Sequence, residues 1–156
     1  MSEPGLNASE KIRYSRHLNI PEIGISGQIA LKKASVLIVG AGGLGSVSSL
    51  YLAAAGVGRI GIVDSDNVEL SNLQRQILHS MDTLGMHKVV SAKDRLIAIN
   101  PSVEIIPYHK RISLQTIDEI IANYSVVIDA TDNFETRYAI NQFCVQNNIN
   151  LFYLYI

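Results

Sequence analysis

Apolar residues in this chain fall into short unbroken runs separated by amphipathic stretches, and the two kinds alternate. Ser35-Val36-Leu37-Ile38-Val39 is a run of branched side chains too short for a helix. Runs like this are strands covered on both faces, the pattern of a parallel sheet. Arg59-Ile60-Gly61-Ile62-Val63 repeats it, followed by Val103-Glu104-Ile105-Ile106 and Val126-Val127-Ile128. Leu151 to Ile156 predicts a fifth strand. Between the strands, apolar positions recur at helical spacing. Leu44, Val47, Tyr51 and Ala54 predict a buried helix stopped by Gly56 and Gly58. Val89, Val90, Leu96 and Ile97 predict another from Lys88 to Asn100, ended by Pro101. Leu114, Ile117, Ile120 and Ile121 mark a third, and Phe134 to Asn147 a fourth. Ahead of the first strand, Asn7 and Glu10 have capping-box spacing and open a helix to about Leu18. Pro21 and Gly24 break it, and a second short helix covers Ser26 to Lys33.

Strand–helix alternation of this kind predicts an α/β fold, a Rossmann-like doubly wound, mainly parallel sheet with helices on both faces. Its ligands bind at the carboxyl ends of the strands, here Gly40, Asp64 and Asp129 to Asp132. A chain of 156 residues, 47% hydrophobic and 17% charged, is long enough for one core and is not a disordered composition. A net charge of −1 argues against a dedicated nucleic-acid binder. The lone Cys144 excludes an intramolecular disulfide and a four-thiolate zinc site built from this chain. Ala34 to Gly58 carries no charge over a membrane-spanning length, but its glycines and serines fit a strand, a turn and a helix better. The first twenty residues are too charged for a signal peptide, so the expectation is a cytoplasmic protein without a membrane anchor.

Gly40-Ala41-Gly42-Gly43-Leu44-Gly45 is a G-x-G-x-x-G between a predicted strand and its helix. Gly40 permits the turn, Gly42 lets backbone approach a phosphate, and Gly45 lets the helix pack close to the sheet. The helix N-terminus then offers free N–H donors. Asp64 ends the second strand 24 positions after Gly40, where a carboxylate either accepts from ribose hydroxyls or caps the next turn. A dinucleotide-dependent oxidoreductase fits equally well up to this point. Asp66, Ser71-Asn72-Leu73-Gln74-Arg75-Gln76 and Lys88 then add amide, hydroxyl and cationic groups just past the ribose position. A triphosphate uses such groups and a nicotinamide pocket does not. Asp132, in Thr131-Asp132-Asn133, is either a Mg²⁺ ligand facing phosphates or the N-cap of the following helix.

These motifs together resemble the ThiF/MoeB/HesA superfamily, the adenylating domains related to ubiquitin-activating enzymes. The resemblance runs from Arg13-Tyr14-Ser15-Arg16-His17 to about Asn150. Pro21 to Gln28 and Ala54-Ala55-Gly56-Val57-Gly58 look closest to the MoeB branch and its eukaryotic adenylyltransferase–sulfurtransferase relatives. The resemblance implies ATP-dependent adenylation of the C-terminal glycine of a ubiquitin-like sulfur-carrier protein, of the MoaD, ThiS or Urm kind, with release of pyrophosphate. By motif position it places Gly42 along the phosphates and Asp64 on the ribose, has Asn72, Arg75 and Lys88 hold the phosphates, and has Asp132 bind Mg²⁺. It counts Gly40, Gly43, Gly45, Asp66, Ser71, Leu73, Gln74 and Asn133 among the nucleotide-binding residues. Arg16 resembles an arginine that reaches into the partner subunit's site in family homodimers; by itself it reads as a solvated helix face. Residues 1–34 are then a site-completing helical arm, and residues 35–156 the nucleotide-binding domain.

Family members continue through further strands and often two Cys-x-x-Cys zinc pairs, whose ligands are absent here. The expectation is therefore a domain whose C-terminal half is missing. An inactive nucleotide-binding fragment or partner subunit is the alternative, with an NAD-dependent oxidoreductase behind it. An unpaired apolar last strand predicts self-association. Cys144 reads as a buried small hydrophobe. His17, His79, His87 and His109 lack metal-ligand spacing and read as surface or capping residues.

Overall fold

The computed structural model describes residues 5–113 and 116–155. Three N-terminal helices, α1 (Ala8–Arg13), α2 (Ser15–Leu18) and α3 (Gly24–Lys33), precede the alternating part. There β1 (Ser35–Val39), α4 (Gly43–Ala55), β2 (Arg59–Val63), α5 (Lys88–Ile99) and β3 (Glu104–Tyr108) follow one another. Then come α6 (Ile117–Ile121), β4 (Val126–Asp129), α7 (Phe134–Gln146) and β5 (Asn150–Tyr153). All pairings are parallel, in the order β3-β2-β1-β4-β5. The order reverses between β1 and β4, which opens a crevice at their carboxyl ends.

Period-two alternation along β1 divides the core. Val36 and Ile38 enter one cluster with Ala53, Val89, Ala92 and Leu96, from α4 and α5. Leu37 and Val39 enter the other with Ile117, Ile120, Ile121, Ile140 and Cys144, from α6 and α7. A central strand buried on both sides explains its unbroken apolar run.

Several boundaries differ from the sequence expectation. The first helix is two, broken at Tyr14, whose buried ring packs on Gly56 and whose hydroxyl accepts from Asn100 Nδ2 at 2.8 Å. β3 runs on through Pro107, which an edge strand tolerates because one side of its ladder is unpaired. α6 is described from Ile117; Leu114 of the predicted helix lies outside the described residues, as does Ile156. β5 stops at Tyr153, short of the predicted end. The largest correction concerns α4. Its predicted apolar stripe faces outward, with Val47 44% and Tyr51 75% exposed, while Gly45, Ser46, Ser49 and Ala53 are buried against the sheet. Small residues on the inner face let the helix lie close to β1. Among the described residues no helix is long and apolar enough to cross a membrane.

The capping box forms as expected. Glu10 N–H donates to Asn7 Oδ1 at 2.9 Å, Asn7 N–H donates to Glu10 Oε2 at 2.8 Å, and Lys32 Nζ lies 2.7 Å from Glu10 Oε1. Lys32 holds the Glu10 carboxyl below its usual range, with the Asn7 N–H helping and burial opposing. A group with a depressed folded pKa stabilises above its unfolded pKa and loses that effect as pH falls through the folded one. Glu10→Gln is therefore expected to lower stability by about 1 kcal/mol at neutral pH, Lys32 being partly exposed to screening water. The difference in denaturation midpoints from the parent closes on acidification; a gap unchanged at low pH would contradict the ion-pair account.

Candidate functional site

Three strand ends meet at the crevice. After β1, Gly40 turns the chain at φ 99° and donates its N–H to Val63 O at 2.8 Å. A Cβ on Gly40 would lie 2.8 Å from Ala130 O, and one on Gly45 would lie 1.8 Å from Gly40 O. Those two positions need glycine for the fold itself. Gly42 and Gly43 do not, since added methyls there would have ordinary clearance. Gly42 caps α4 without any side-chain hydrogen bond, so donors of the first helical turn remain open to an anion.

At the end of β2, the Asp64 carboxylate takes the turn-capping role of the two considered. Oδ2 accepts from Ala41 N–H at 2.8 Å, and Oδ1 accepts from Asp66 N–H at 2.8 Å, which closes the turn. Lys88, the first residue of α5, is only 5% exposed, and its ammonium meets Asp66 Oδ2 at 3.0 Å. Arg75 is exposed and donates from Nη1 to Ser71 O at 3.3 Å.

After β4 the division of labour is clear. Buried Asp129 Oδ1 accepts from Thr131 N–H at 2.9 Å and from Thr131 Oγ1 at 2.6 Å. Arg137 Nη2 donates to Thr131 O at 2.6 Å. Asn133, not Asp132, caps α7, its Oδ1 accepting from Thr136 N–H at 2.9 Å. Asp132 is left exposed on the crevice wall, with no side-chain hydrogen bond among the described residues.

A cavity of about 500 Å³ joins these ends. Its walls include Gly40, Gly42, Gly43, Asp64, Asp66, Asn72, Arg75, Lys88, Asp132 and Asn133. Gly45, Ser71, Leu73, Gln74 and Arg16 stand outside the walls. Gly45 lies beneath the turn, Ser71 supports Arg75 through its carbonyl, and Arg16 is exposed on α2. Gln76, the last residue of the predicted Ser71–Gln76 motif, also lines the cavity, and its buried Oε1 has no hydrogen-bond partner among the described residues. Lys110 and Arg111, just past β3, line the cavity and were not anticipated. The strand-end rule that located Asp64 also locates these two cations.

One histidine needs correction; His87 and His109 are exposed as expected. His79 is buried, not at the surface, and bonds Ala41 O and Ser91 Oγ. His87 and His109 stack with ring centroids 3.6 Å apart, and His17 pairs with Gln28 Oε1 at 2.8 Å. Cys144 is buried as expected, and burial pushes its thiol up to about 11, away from a reactive thiolate.

A glycine turn at a helix N-terminus, a carboxylate at the next strand end, buried and exposed cations and an uncommitted aspartate make a phosphate-bearing ligand the natural occupant. Comparison with known proteins narrows this. A model described as the ThiF family matches residues 14–154. The chain belongs to the ThiF family. Over 140 residues it is 53% identical to the adenylyltransferase and sulfurtransferase MOCS3 of Culex quinquefasciatus, covering 90% of this chain and 32% of that protein. It is 49% identical over 140 residues to the probable adenylyltransferase/sulfurtransferase MoeZ of Mycobacterium tuberculosis, covering 90% of this chain and 36% of the relative. The chain thus spans about a third of the length of these curated relatives. Among solved structures, the E. coli tRNA N6-threonylcarbamoyladenosine dehydratase TcdA in complex with ATP superposes with a TM-score of 0.89 at 27% identity. That match covers 94% of this chain and 60% of TcdA. The Rossmann-like ThiF fold is thereby established for this chain, and the two curated relatives carry adenylyltransferase in their names.

Proposed function

We propose that this ThiF-family chain forms the ATP site of an adenylyltransferase that activates the C-terminal glycine of a ubiquitin-like sulfur-carrier protein. The observation that carries the reading is the convergence of an uncapped helix N-terminus, Arg75, Lys88 and the uncommitted Asp132 on one cavity. Asp64 takes the ribose, and Gly42 with the α4 N-terminus lies along the phosphates. Asn72, Arg75 and Lys88 hold phosphate oxygens. The carrier's carboxylate attacks the α-phosphate and pyrophosphate leaves. Two anions must approach each other, so the chain's task is to place them in line and neutralise charge; it needs no side-chain nucleophile.

Asp132 fits a Mg²⁺ role because Asn133 does the capping and its own carboxylate is free. A bound Mg²⁺ supplies charge neutralisation at the phosphate oxygens. Arg16, exposed and not among the cavity walls of its own chain, suits a role in a second copy's site. Residues 1–34 then act as a site-completing arm in a homodimer. A second reading is a unit that binds ATP without transferring the adenylyl group, for which the cavity by itself suffices.

Carrier-dependent ATP–pyrophosphate exchange separates the two, run on the parent and on Arg75→Ala and Asp132→Ala. Exchange in the parent, falling about 100-fold or more in each variant, is expected. ATP binding that weakens in Arg75→Ala without exchange in any protein supports the second reading. A folded parent with neither exchange nor ATP binding overturns both.

A further inference from the structure

Beneath the glycine turn sits a buried histidine that the proposed chemistry does not use. His79 is 7% exposed, with Nε2 3.1 Å from Ala41 O and Nδ1 2.9 Å from Ser91 Oγ. A carbonyl oxygen only accepts, so Nε2 carries a proton. In the neutral ring Nδ1 is then the acceptor, and the Ser91 hydroxyl donates to it. Burial lowers the pKa of His79; the bond to Ala41 opposes this, Lys88 from α5 adds to it and Asp64 from the end of β2 opposes it. The neutral ring is therefore the form present around pH 7.

The consequence lies in the next peptide group. The Ala41–Gly42 peptide is trans and planar, so its carbonyl and its N–H point in opposite directions. With the carbonyl held on His79, the Gly42 N–H is turned the other way, and Gly42 is part of the cavity wall. Ala41 is also held at its own N–H, by Asp64 Oδ2. Without the histidine, this peptide is free to flip, because Gly42 accepts φ of either sign.

We propose that His79 is a positioning residue for phosphate recognition, locking the Ala41–Gly42 peptide so that the Gly42 N–H faces the phosphates, with Ser91 holding the ring's other nitrogen. The bonds close a circuit: Ser91 lies one turn beyond Lys88 on α5, Lys88 pairs with Asp66, and Asp66 N–H bonds Asp64. One helical turn thus references both the ribose-side carboxylate and the phosphate turn. The role rests on the ATP reading of the cavity.

Two measurements test it. Binding of ATP and of adenosine is compared in the parent, His79→Phe, His79→Gln and Ser91→Ala. Phe keeps ring volume without either nitrogen, whereas Gln retains an amide N–H donor. His79→Phe is expected to weaken ATP about tenfold, one hydrogen bond's worth. Adenosine affinity stays within about twofold of the parent, since only phosphate contacts are lost. His79→Gln regains most of the loss, and Ser91→Ala shows a loss of about threefold. Unchanged ATP affinity in both His79→Phe and Ser91→Ala, or equal weakening of ATP and adenosine, overturns the proposal. Separately, ¹⁵N spectra of the imidazoles in ligand-free parent are expected to show His79 as the Nε2–H tautomer near pH 7, and the same tautomer in Ser91→Ala, since the Ala41 carbonyl fixes it. An Nδ1–H ring or an imidazolium in the parent overturns the role without any nucleotide present. A parent with the Nε2–H tautomer but no ATP affinity instead removes the ATP reading, and this role with it.

Discussion

Gly45→Ala is expected to destabilise this protein severely, whereas Gly42→Ala leaves it folded but with little affinity for phosphate. The new Cβ at Gly45 would sit 1.8 Å from Gly40 O, deep inside van der Waals contact. Both groups are backbone, one on α4 and the other on the turn that leads into it. Neither can swing aside like the end of a flexible side chain. Relief requires lifting α4 from the sheet, and the buried face of that helix consists of small residues chosen for close approach. Overpacking of this sort costs about 3 kcal/mol or more, a large share of the roughly 5–15 kcal/mol that holds a domain together. At Gly42 the numbers reverse. Its φ of −79° suits any residue, and the nearest atom to an added Cβ is Gln76 Nε2 at 3.9 Å. Stability should stay within about 0.5 kcal/mol of the parent. The methyl would nevertheless occupy the wall against which phosphates are proposed to lie, and ATP affinity should fall about tenfold or more. Thermal melts with a parallel nucleotide titration read both. If Gly45→Ala melts with the parent, the close-packing account is wrong; if Gly42→Ala binds ATP normally, the turn is not the phosphate seat.

Much of this was legible in the sequence because the buried parallel strands advertise themselves. Ser35–Val39 and Arg59–Val63 are observed with the predicted limits, since unbroken branched runs have no other stable placement. The strand ends then located Gly40, Asp64 and Asp132 with no knowledge of their contacts. What failed was the phase of α4. Its apolar stripe, Leu44, Val47, Tyr51 and Ala54, predicts the inward face, yet the inward face is Gly45, Ser46, Ser49 and Ala53. Hydrophobic periodicity assumes that burial favours large side chains. A helix pressed close to a strand favours small ones at the contact, so Val47 and Tyr51 go outward while Leu50 and Leu52 pack at the core's edge. The polar interior was illegible for a related reason. His79 looks like any loop histidine until Ala41 O and Ser91 Oγ are brought to it from positions 38 residues before and 12 after. Asp132 and Asn133 are neighbours with interchangeable capping chemistry, and only the start of α7 decides that Asn133 caps and Asp132 is free.

Lys88→Met should remove carrier-dependent exchange while leaving the protein as stable as the parent or more so. The ammonium of Lys88 is buried, and its one partner among the described residues, Asp66 Oδ2 at 3.0 Å, belongs to a side chain still 66% exposed. An ion withdrawn from water and paired with a partner that remains largely in water gains little from the pair. Methionine keeps the length and apolar body of the lysine stem without its charge, so packing survives and desolvation of the ion is avoided. A gain of up to about 1 kcal/mol is the expected result in denaturant unfolding. The same substitution strips the cavity wall of a cation that sits next to the proposed phosphate path. Loss of such a preorganised charge typically removes about 100- to 1,000-fold in rate. Asp66→Asn acts in the opposite sense. It leaves the ammonium buried without a counter-charge, and the ligand-free protein should lose about 1–2 kcal/mol, less than for a fully buried pair because Asp66 is exposed. Saturating ATP restores the missing negative charge and should recover that loss through linkage. Lys88 would then be a residue whose position is unfavourable for the empty protein and favourable only with an anion in place. Destabilisation by Lys88→Met, together with retained exchange, would show instead that the ammonium is a structural pin for the Asp66 loop.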